Sequence, residues 1–453
     1  MYLPYKVRQV FSSVSKFGGH MAKFIVQKSG PLMGEVEISG SKNAVLPIMA
    51  ATLLCEEQCV IMDVPKLRDV DVMSQILVRI GASVKDELEQ NKLTVTTSEI
   101  AETEPPYGLV SKMRASFVIM GPLLARVGRA RIPLPGGCAI GSRPIDLHLK
   151  GFAALGAKIV EGSGFVEAQA DRLRGTTVYL DFPSVGATEN IMMAAVMAEG
   201  TTVIENAAEE PEIVDLANFI NKMGGRIKGA GTDTIKIEGV EKLHGTTHHV
   251  IPDRIETGTF MLAAAITRGN VLIKNSLPDH VKPVIAKLRE CGVSVEDTLE
   301  GLRVDATRGK FNATDIKTMP YPGFPTDMQS IFMAFLTTVE GKSTVIETVF
   351  ENRFMHVSEL SRMGANITTK DRSATIIGGA KLTGTQVVAT DLRAGAALVL
   401  AGLVAEDFTE VDEVYHIERG YERFVDKFSA LGANIVKESP DSNNYNKYGK
   451  AEQ

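Results

Sequence analysis

The sequence predicts an α/β protein of two lobes, each built from three repeated βαβαββ units whose three apolar helices are enclosed by sheets. Three observations point to this class. At 453 residues the chain is too long for one ordinary hydrophobic core, so two domains are the default. A short phrase recurs six times: "RIGASV" at 79–84, "ALGAKI" at 154–159, "KMGGRI" at 222–227, "ECGVSV" at 290–295, "RMGANI" at 362–367 and "ALGANI" at 430–435. Finally, each repeat holds a second segment that is apolar nearly all round, the mark of a helix enclosed by other elements.

The recurring glycines, Gly81, Gly156, Gly224, Gly292, Gly364 and Gly432, are 75, 68, 68, 72 and 68 residues apart, a near-constant period. Each ends an amphipathic helix, because glycine takes the left-handed C-terminal conformation cheaply. "PEIVDLANFINKMGG" and "LPDHVKPVIAKLRECG" show the apolar spacing such a helix needs. Short alternating runs around a turn follow, as in "RIKGAGTDTIKIEG" and "NITTKDRSATIIGG", and read as hairpins. Upstream lie the apolar helices: "KNAVLPIMAATLL", "RASFVIMGPLLARV", "ATENIMMAAVMAEG", "ETGTFMLAAAITRG", "TDMQSIFMAFLTTVEG" and "LRAGAALVLAGLVA". A solenoid is the other way to stack six units. The period here is about twice the usual 20–50 residues, which favours units folded into globular lobes.

An apolar fraction of 44%, a charged fraction of 23% and a net charge of −6 describe a globular chain and argue against wholesale nucleic-acid binding. The longest apolar run, Ala394 to Ala405, is too short to cross a bilayer, so no membrane insertion is expected. Four cysteines in so long a chain do not make a disulfide framework and fit a reducing, cytoplasmic setting. Residues 1–20 make a poor secretory signal. "MAKFIVQ" from Met21 reads as a natural start, with 1–20 an extension without a role in the fold.

The chemistry-bearing residues gather at the starts of the six apolar helices. They are Lys42 and Asn43 in "SGSKNA", Arg114 in "SKMRAS", Ser184, Val185 and Gly186 in "PSVGATEN", Asp253, Arg254 and Glu256 in "PDRIETG", Asp327 in "PTDMQ", and Asp391 with Arg393 in "DLRAG". Helix starts carry unpaired N–H groups and partial positive charge, so converging starts would make an anion site. Taken singly, Ser, Asp and Asn there are ordinary caps. Lysine and arginine oppose the helix dipole, and their placement makes sense where an anion binds.

Cys138 lies in "GGCAIGSRP", a loop between a strand and an amphipathic helix, with Arg143 close by; a thiol in an electropositive setting is reactive, and an incidental surface thiol is the alternative. Cys55 and Cys59, in "CEEQC", are spaced to share a helical face and, without a second pair, read as structural. Cys291, at a helix end, reads as a packing residue, and His148 as a surface or packing residue.

The motifs "SGSKNAVLPI", "MRAS", "PGGCAIGSRPIDLH", "PSVGATENIMMAA", "PDRIETGTF", "PGFPTDMQ", "FENRFMHV", "DLRAGAALVLAGL" and "HIERGYERF" stand in one order from Met21 to about Val436. In that set and order the chain resembles the UDP-N-acetylglucosamine 1-carboxyvinyltransferase family. The resemblance implies an inside-out α/β barrel in each lobe and a chain beginning that joins the C-terminal lobe: 21–42 plus 252–436 form lobe one, 43–251 form lobe two with the Cys138 loop, and 437–453 are a polar tail. It implies transfer of the enolpyruvyl group of phosphoenolpyruvate to the 3′-hydroxyl of UDP-N-acetylglucosamine. No metal or organic cofactor is implied, because phosphoenolpyruvate carries its own activated group.

By the same likeness Cys138 is the general acid, Lys42, Asn43, Arg143 and Arg419 bind phosphoenolpyruvate, Asp327 is the base, and Asp391 and Arg393 lie near the reacting centre. Arg114, the run Arg143, Pro144, Ile145, Asp146 and Leu147, Ser184 to Gly186, and Val349 match the nucleotide-sugar site. A cysteine at 138 implies alkylation by the epoxide fosfomycin. Two alternatives remain at this point: an enzyme that takes shikimate 3-phosphate as acceptor, and a non-catalytic homologue that binds a nucleotide sugar.

Overall fold

The protein was analysed as a computed structural model that describes residues 22–134 and 145–439. The extension 1–20, the segment with Cys138, Arg143 and Pro144, and residues 440–453 of the tail lie outside the described residues.

Each repeat folds as its sequence dictates. The third is representative: the apolar helix Val185–Ala195 leads into strand Thr201–Glu205, then the amphipathic helix Pro211–Lys222, then the hairpin Arg226–Lys228 and Thr234–Glu238. Strand Thr201–Glu205 pairs antiparallel with Thr234–Glu238 and parallel with Thr177–Tyr179, which precedes the apolar helix. Five sheets of four strands and one of three arise in this way. The glycine phrase is the hinge of every unit: Gly81, Gly156, Gly224, Gly292, Gly364 and Gly432 all have φ between +88° and +121°, where a side chain is strained.

The six apolar helices lie inside. In Arg254–Ile266 every residue from Ile255 onward is buried, and Leu392–Gly402 is buried from Arg393. Full burial of each large aliphatic side chain contributes about 1.5–3 kcal/mol. Four of the six start with a side-chain cap: Ser41, Ser184, Asp253 and Asp391 each accept a hydrogen bond from a backbone N–H of the first turn. The other two are entered through 3₁₀ turns, Arg114–Ile119 before Met120–Val127 and Thr326–Met328 before Gln329–Thr338. "RASFVIMGPLLARV" is therefore two elements and not one helix.

The second unit is the irregular one. Its sheet holds only Arg129–Pro133, Phe165–Gln169 and Lys158–Gly162 among the described residues. Where the other units have a parallel edge strand, this one has "ETEPPYG", and two adjacent prolines cannot donate to a ladder. A single bond from Arg131 N–H to the Thr103 carbonyl, 3.0 Å, stands in for the pairing.

Two hydrophobic cores result, one drawn from residues between Ala44 and Val250, the other from Phe24–Ile38 and Ile255–Ile435. Two edge strands are exchanged between them. Met33–Glu37 leads into a helix of lobe two but pairs with Asn270–Lys274 in a sheet of lobe one; Thr247–His249 does the reverse, pairing with Cys59–Met62 of lobe two. The two crossing segments touch. Gly40 bridges Pro252, Ser41 N–H donates to the Ile251 carbonyl at 2.7 Å, and Asp253 N–H to the Ser39 carbonyl at 2.9 Å. Gly40 is required here, since a Cβ would lie 1.9 Å from the Asp63 carbonyl oxygen. The last strand, Asn434–Glu438, carries Lys437 and Glu438 opposite Phe24 and Lys23.

Candidate active site

The double crossover sets one helix start of each lobe against the other. Asp253 is the pivot: Oδ1 caps Arg254–Ile266 by accepting from Ile255 and Glu256 N–H, while Oδ2 accepts from Lys42 N–H at 3.3 Å. Lys42 is thereby fixed at the entry to the helix Lys42–Ala51, with Asn43 one position on. The Lys42 ammonium lies 3.4 Å from Asp69 Oδ2, and Arg419 from the other lobe donates to Asp69 Oδ1 at 2.8 Å. Burial lowers the Lys42 pKa, Asp69 opposes this, and Arg393 and Arg419 add to the depression.

Asp327 is held by two guanidinium groups. Arg353 donates to Oδ1 at 2.9 Å and Arg393 to Oδ2 at 3.1 Å; both arginine side chains are 3% exposed against 28% for Asp327. Arg393 lies beneath Tyr421, whose hydroxyl is 2.8 Å from Thr259 Oγ1. Asp327 also acts electrostatically on Lys42 and Arg254, so these groups form one cluster. Within it Lys42 and Arg419 meet at Asp69, and Arg353 and Arg393 at Asp327, while Asp253 and Asp391 act as helix caps beside them. These cationic donors, with the helix starts at Lys42 and Arg393, are suited to a multiply charged anion. Arg254 is neutralised separately, by Glu212 of the other lobe at 3.0 Å.

Asp391 uses Oδ1 as a cap, accepting from Arg393 and Ala394 N–H at 2.8 and 3.1 Å. Val349 is tied to the Asp327 turn through buried Glu347, which accepts from Val349 N–H at 2.9 Å and from Thr326 Oγ1 at 2.9 Å. A second group gathers in lobe two. His148 stacks edge-on with Phe117, pairs with Asn190 at 3.0 Å and lies against Gly186, while burial and then Arg114 push its pKa down to about 3. Ser184 caps Val185–Ala195, and Ile145, Asp146 and Leu147 open the helix Asp146–Ala154 on which His148 sits. Cys138, Arg143 and Pro144 lie outside the described residues.

Three participants were not singled out from the sequence. Asp69 reads there as an ordinary acidic residue in the first turn of Arg68–Ile80. Arg353 and Tyr421 lie inside quoted motifs, but nothing in their spacing marks them. The cysteine reading is also corrected. Cys55 follows the 3₁₀ turn Thr52–Leu54 in extended conformation and Cys59 opens strand Cys59–Met62, so the pair shares no helical face. Cys291 is buried, and burial pushes its thiol up to about 12.

His356 gives a pH test of the site's packing. It is 1% exposed, and burial, partly offset by Asp391, takes its pKa down to about 4. In the unfolded chain it titrates near 6.5, so below that pH unfolding takes up a proton. Its contribution is present above about 6.5 and is lost as pH falls toward 4, up to about 3 kcal/mol in all. Urea unfolding at pH 7.5 and 5 is expected to show a smaller acid loss in His356→Gln than in the parent; equal losses would refute it.

The comparisons with known proteins agree with this geometry. The profile of the EPSP synthase (3-phosphoshikimate 1-carboxyvinyltransferase) family matches residues 26–428. A protein of Caldanaerobacter subterraneus subsp. tengcongensis named UDP-N-acetylglucosamine 1-carboxyvinyltransferase 1 is 62% identical, over 92% of this chain and 99% of its own. The chain belongs to the UDP-N-acetylglucosamine 1-carboxyvinyltransferase family. Another such relative, from Finegoldia magna, is 57% identical over 91% of this chain and 98% of its own. Among solved structures, the enolpyruvyl transferase NikO of Streptomyces tendae superposes with a TM-score of 0.84 at 25% identity, covering 92% of this chain and 99% of that one. An EPSP synthase of Acinetobacter baumannii shares the fold, at a TM-score of 0.74, 18% identity, and coverage of 92% and 100%. The chain is a transferase of two-lobed α/β architecture, and no helix among the described residues is long and apolar enough to cross a membrane.

Proposed function

We propose that the protein transfers the enolpyruvyl group of phosphoenolpyruvate to the 3′-hydroxyl of UDP-N-acetylglucosamine, releasing phosphate, as the first committed step of peptidoglycan synthesis in the cytoplasm. The observation that carries this is the cationic cluster in which Lys42 and Arg419 meet at Asp69, and Arg353 and Arg393 at Asp327. Relatives more than half identical bear the name of this activity.

In this reading Lys42 and Arg419, with Asn43 and Arg143, offset the carboxylate and phosphate charge of phosphoenolpyruvate. Arg114, Ile145 to Leu147, Ser184 to Gly186 and Val349 hold the nucleotide sugar. Asp327, oriented by Arg353 and Arg393, takes the proton of the attacking hydroxyl as its oxygen bonds to C2 of phosphoenolpyruvate. Cys138 gives a proton to the methylene carbon, which becomes a methyl group in a tetrahedral ketal. Loss of a proton from that methyl group then expels phosphate and restores the double bond. Asp391 and Arg393 border the reacting centre.

The test is phosphate release from phosphoenolpyruvate with UDP-N-acetylglucosamine or shikimate 3-phosphate as acceptor, with and without fosfomycin. Release with the nucleotide sugar alone, abolished by fosfomycin, is expected. Release with shikimate 3-phosphate would transfer the protein to the other activity, and nucleotide-sugar binding without any release would make it a non-catalytic homologue.

A further inference from the structure

Away from the cationic cluster, two thiols face each other. Cys55 and Cys59 Sγ are 3.6 Å apart, and Cys55 Sγ also lies 3.4 Å from the Glu57 carbonyl. Both are reduced and buried, yet the three residues between them, Glu56, Glu57 and Gln58, are exposed. The two thiols therefore flank a short exposed turn at the edge of the core. The Arg126 guanidinium holds this corner, donating to the carbonyls of Leu53 and Cys55 at 3.0 and 2.9 Å. The hydrogen bond with Cys59 and the Arg126 charge lower the Cys55 pKa, whereas the same hydrogen bond and burial raise that of Cys59. Cys55, whose carbonyl binds the Arg126 guanidinium, is the sulfur placed beside a positive charge.

We propose that Cys55 and Cys59 form a reversible intramolecular disulfide when the protein meets a low-molecular-weight disulfide. The Cys55 thiolate attacks one sulfur of the reagent, forming a mixed disulfide and expelling the first thiolate. Cys59 then loses its proton and attacks the Cys55 sulfur, breaking the mixed disulfide and expelling the second thiolate. Two protein thiols are oxidised and one reagent disulfide is reduced to two thiols. The sulfurs must close from 3.6 Å to about 2.0 Å, a movement that the exposed turn between them can absorb.

Oxidised glutathione is the probe. After incubation of the full chain, alkylation in denaturant and trypsin digestion, the peptide 43–66, which holds both cysteines and no internal cleavage site, is expected about 2 Da lighter and unalkylated. Dithiothreitol should restore two alkylated thiols. A glutathione adduct on Cys138 would appear on a different peptide and does not affect the reading. In Cys59→Ala the mixed disulfide on Cys55 has no resolving partner, so a stable glutathione adduct on peptide 43–66 is expected. The proposal is overturned if that peptide retains two alkylatable thiols in the parent protein under conditions that modify Cys138, or if Cys55 becomes joined to another cysteine.

Discussion

Replacing Asp327 with asparagine is expected to lower kcat by about 10²- to 10⁴-fold, the usual loss on removing a positioned base. Asparagine keeps the size of the side chain and one oxygen acceptor for Arg353 or Arg393, but it cannot take up the hydroxyl proton. The change also leaves two guanidinium groups, each 3% exposed, without their carboxylate. Removing one partner of a buried pair costs about 3–5 kcal/mol, so the variant should melt at lower temperature as well. Two measurements keep the effects apart. Calorimetry below the melting transition should show UDP-N-acetylglucosamine binding nearly as in the parent, while single-turnover phosphate release slows by the full factor. An unchanged kcat would remove Asp327 as the base. A loss confined to binding would make it a positioning residue.

The reach of the sequence differed between levels of organisation. The repeat was legible because one backbone requirement, the positive φ after each amphipathic helix, forces glycine at a fixed place in every unit. The buried helices were legible because apolar residues all round leave no solvent face. The pairing of Met33–Glu37 with Asn270–Lys274 was not readable from local pattern, since a parallel edge strand carries no mark of which sheet it joins; only the resemblance placed the chain's beginning in the other lobe. Lys42, Asp327 and Arg393 were legible as candidates at helix starts, where charge opposed to the dipole or a cap followed by arginine stands out, and the fold brings them together. Their counter-charges were missed. Asp69 is favourable at the start of Arg68–Ile80, so nothing local distinguishes it from a solvated acidic residue, although it is 3% exposed and bound to Lys42 and Arg419.

That carboxylate supports the second large effect. Asp69 is the group that most favours the charged form of Lys42 against burial, and it also receives Arg419 from the opposite lobe. In Asp69→Asn the ammonium loses this support while desolvation and the repulsion of Arg393 and Arg419 remain, so its pKa must fall further. An opposite charge at this distance is worth about 1–3 pKa units. Lysine binds an anion only while protonated, so the alkaline limb of kcat/KM for phosphoenolpyruvate should move to lower pH. The sign follows from the direction of the shift: the variant loses little at acid pH, where Lys42 keeps its proton, and progressively more toward alkaline pH, where KM for phosphoenolpyruvate rises while kcat at saturation changes less. A purely structural role would lower activity equally at all pH values. Asp69→Glu, which restores the charge on a longer side chain, should return the limb toward its original position; a limb that stays put in Asp69→Asn would show that Lys42 does not depend on this carboxylate to hold its proton.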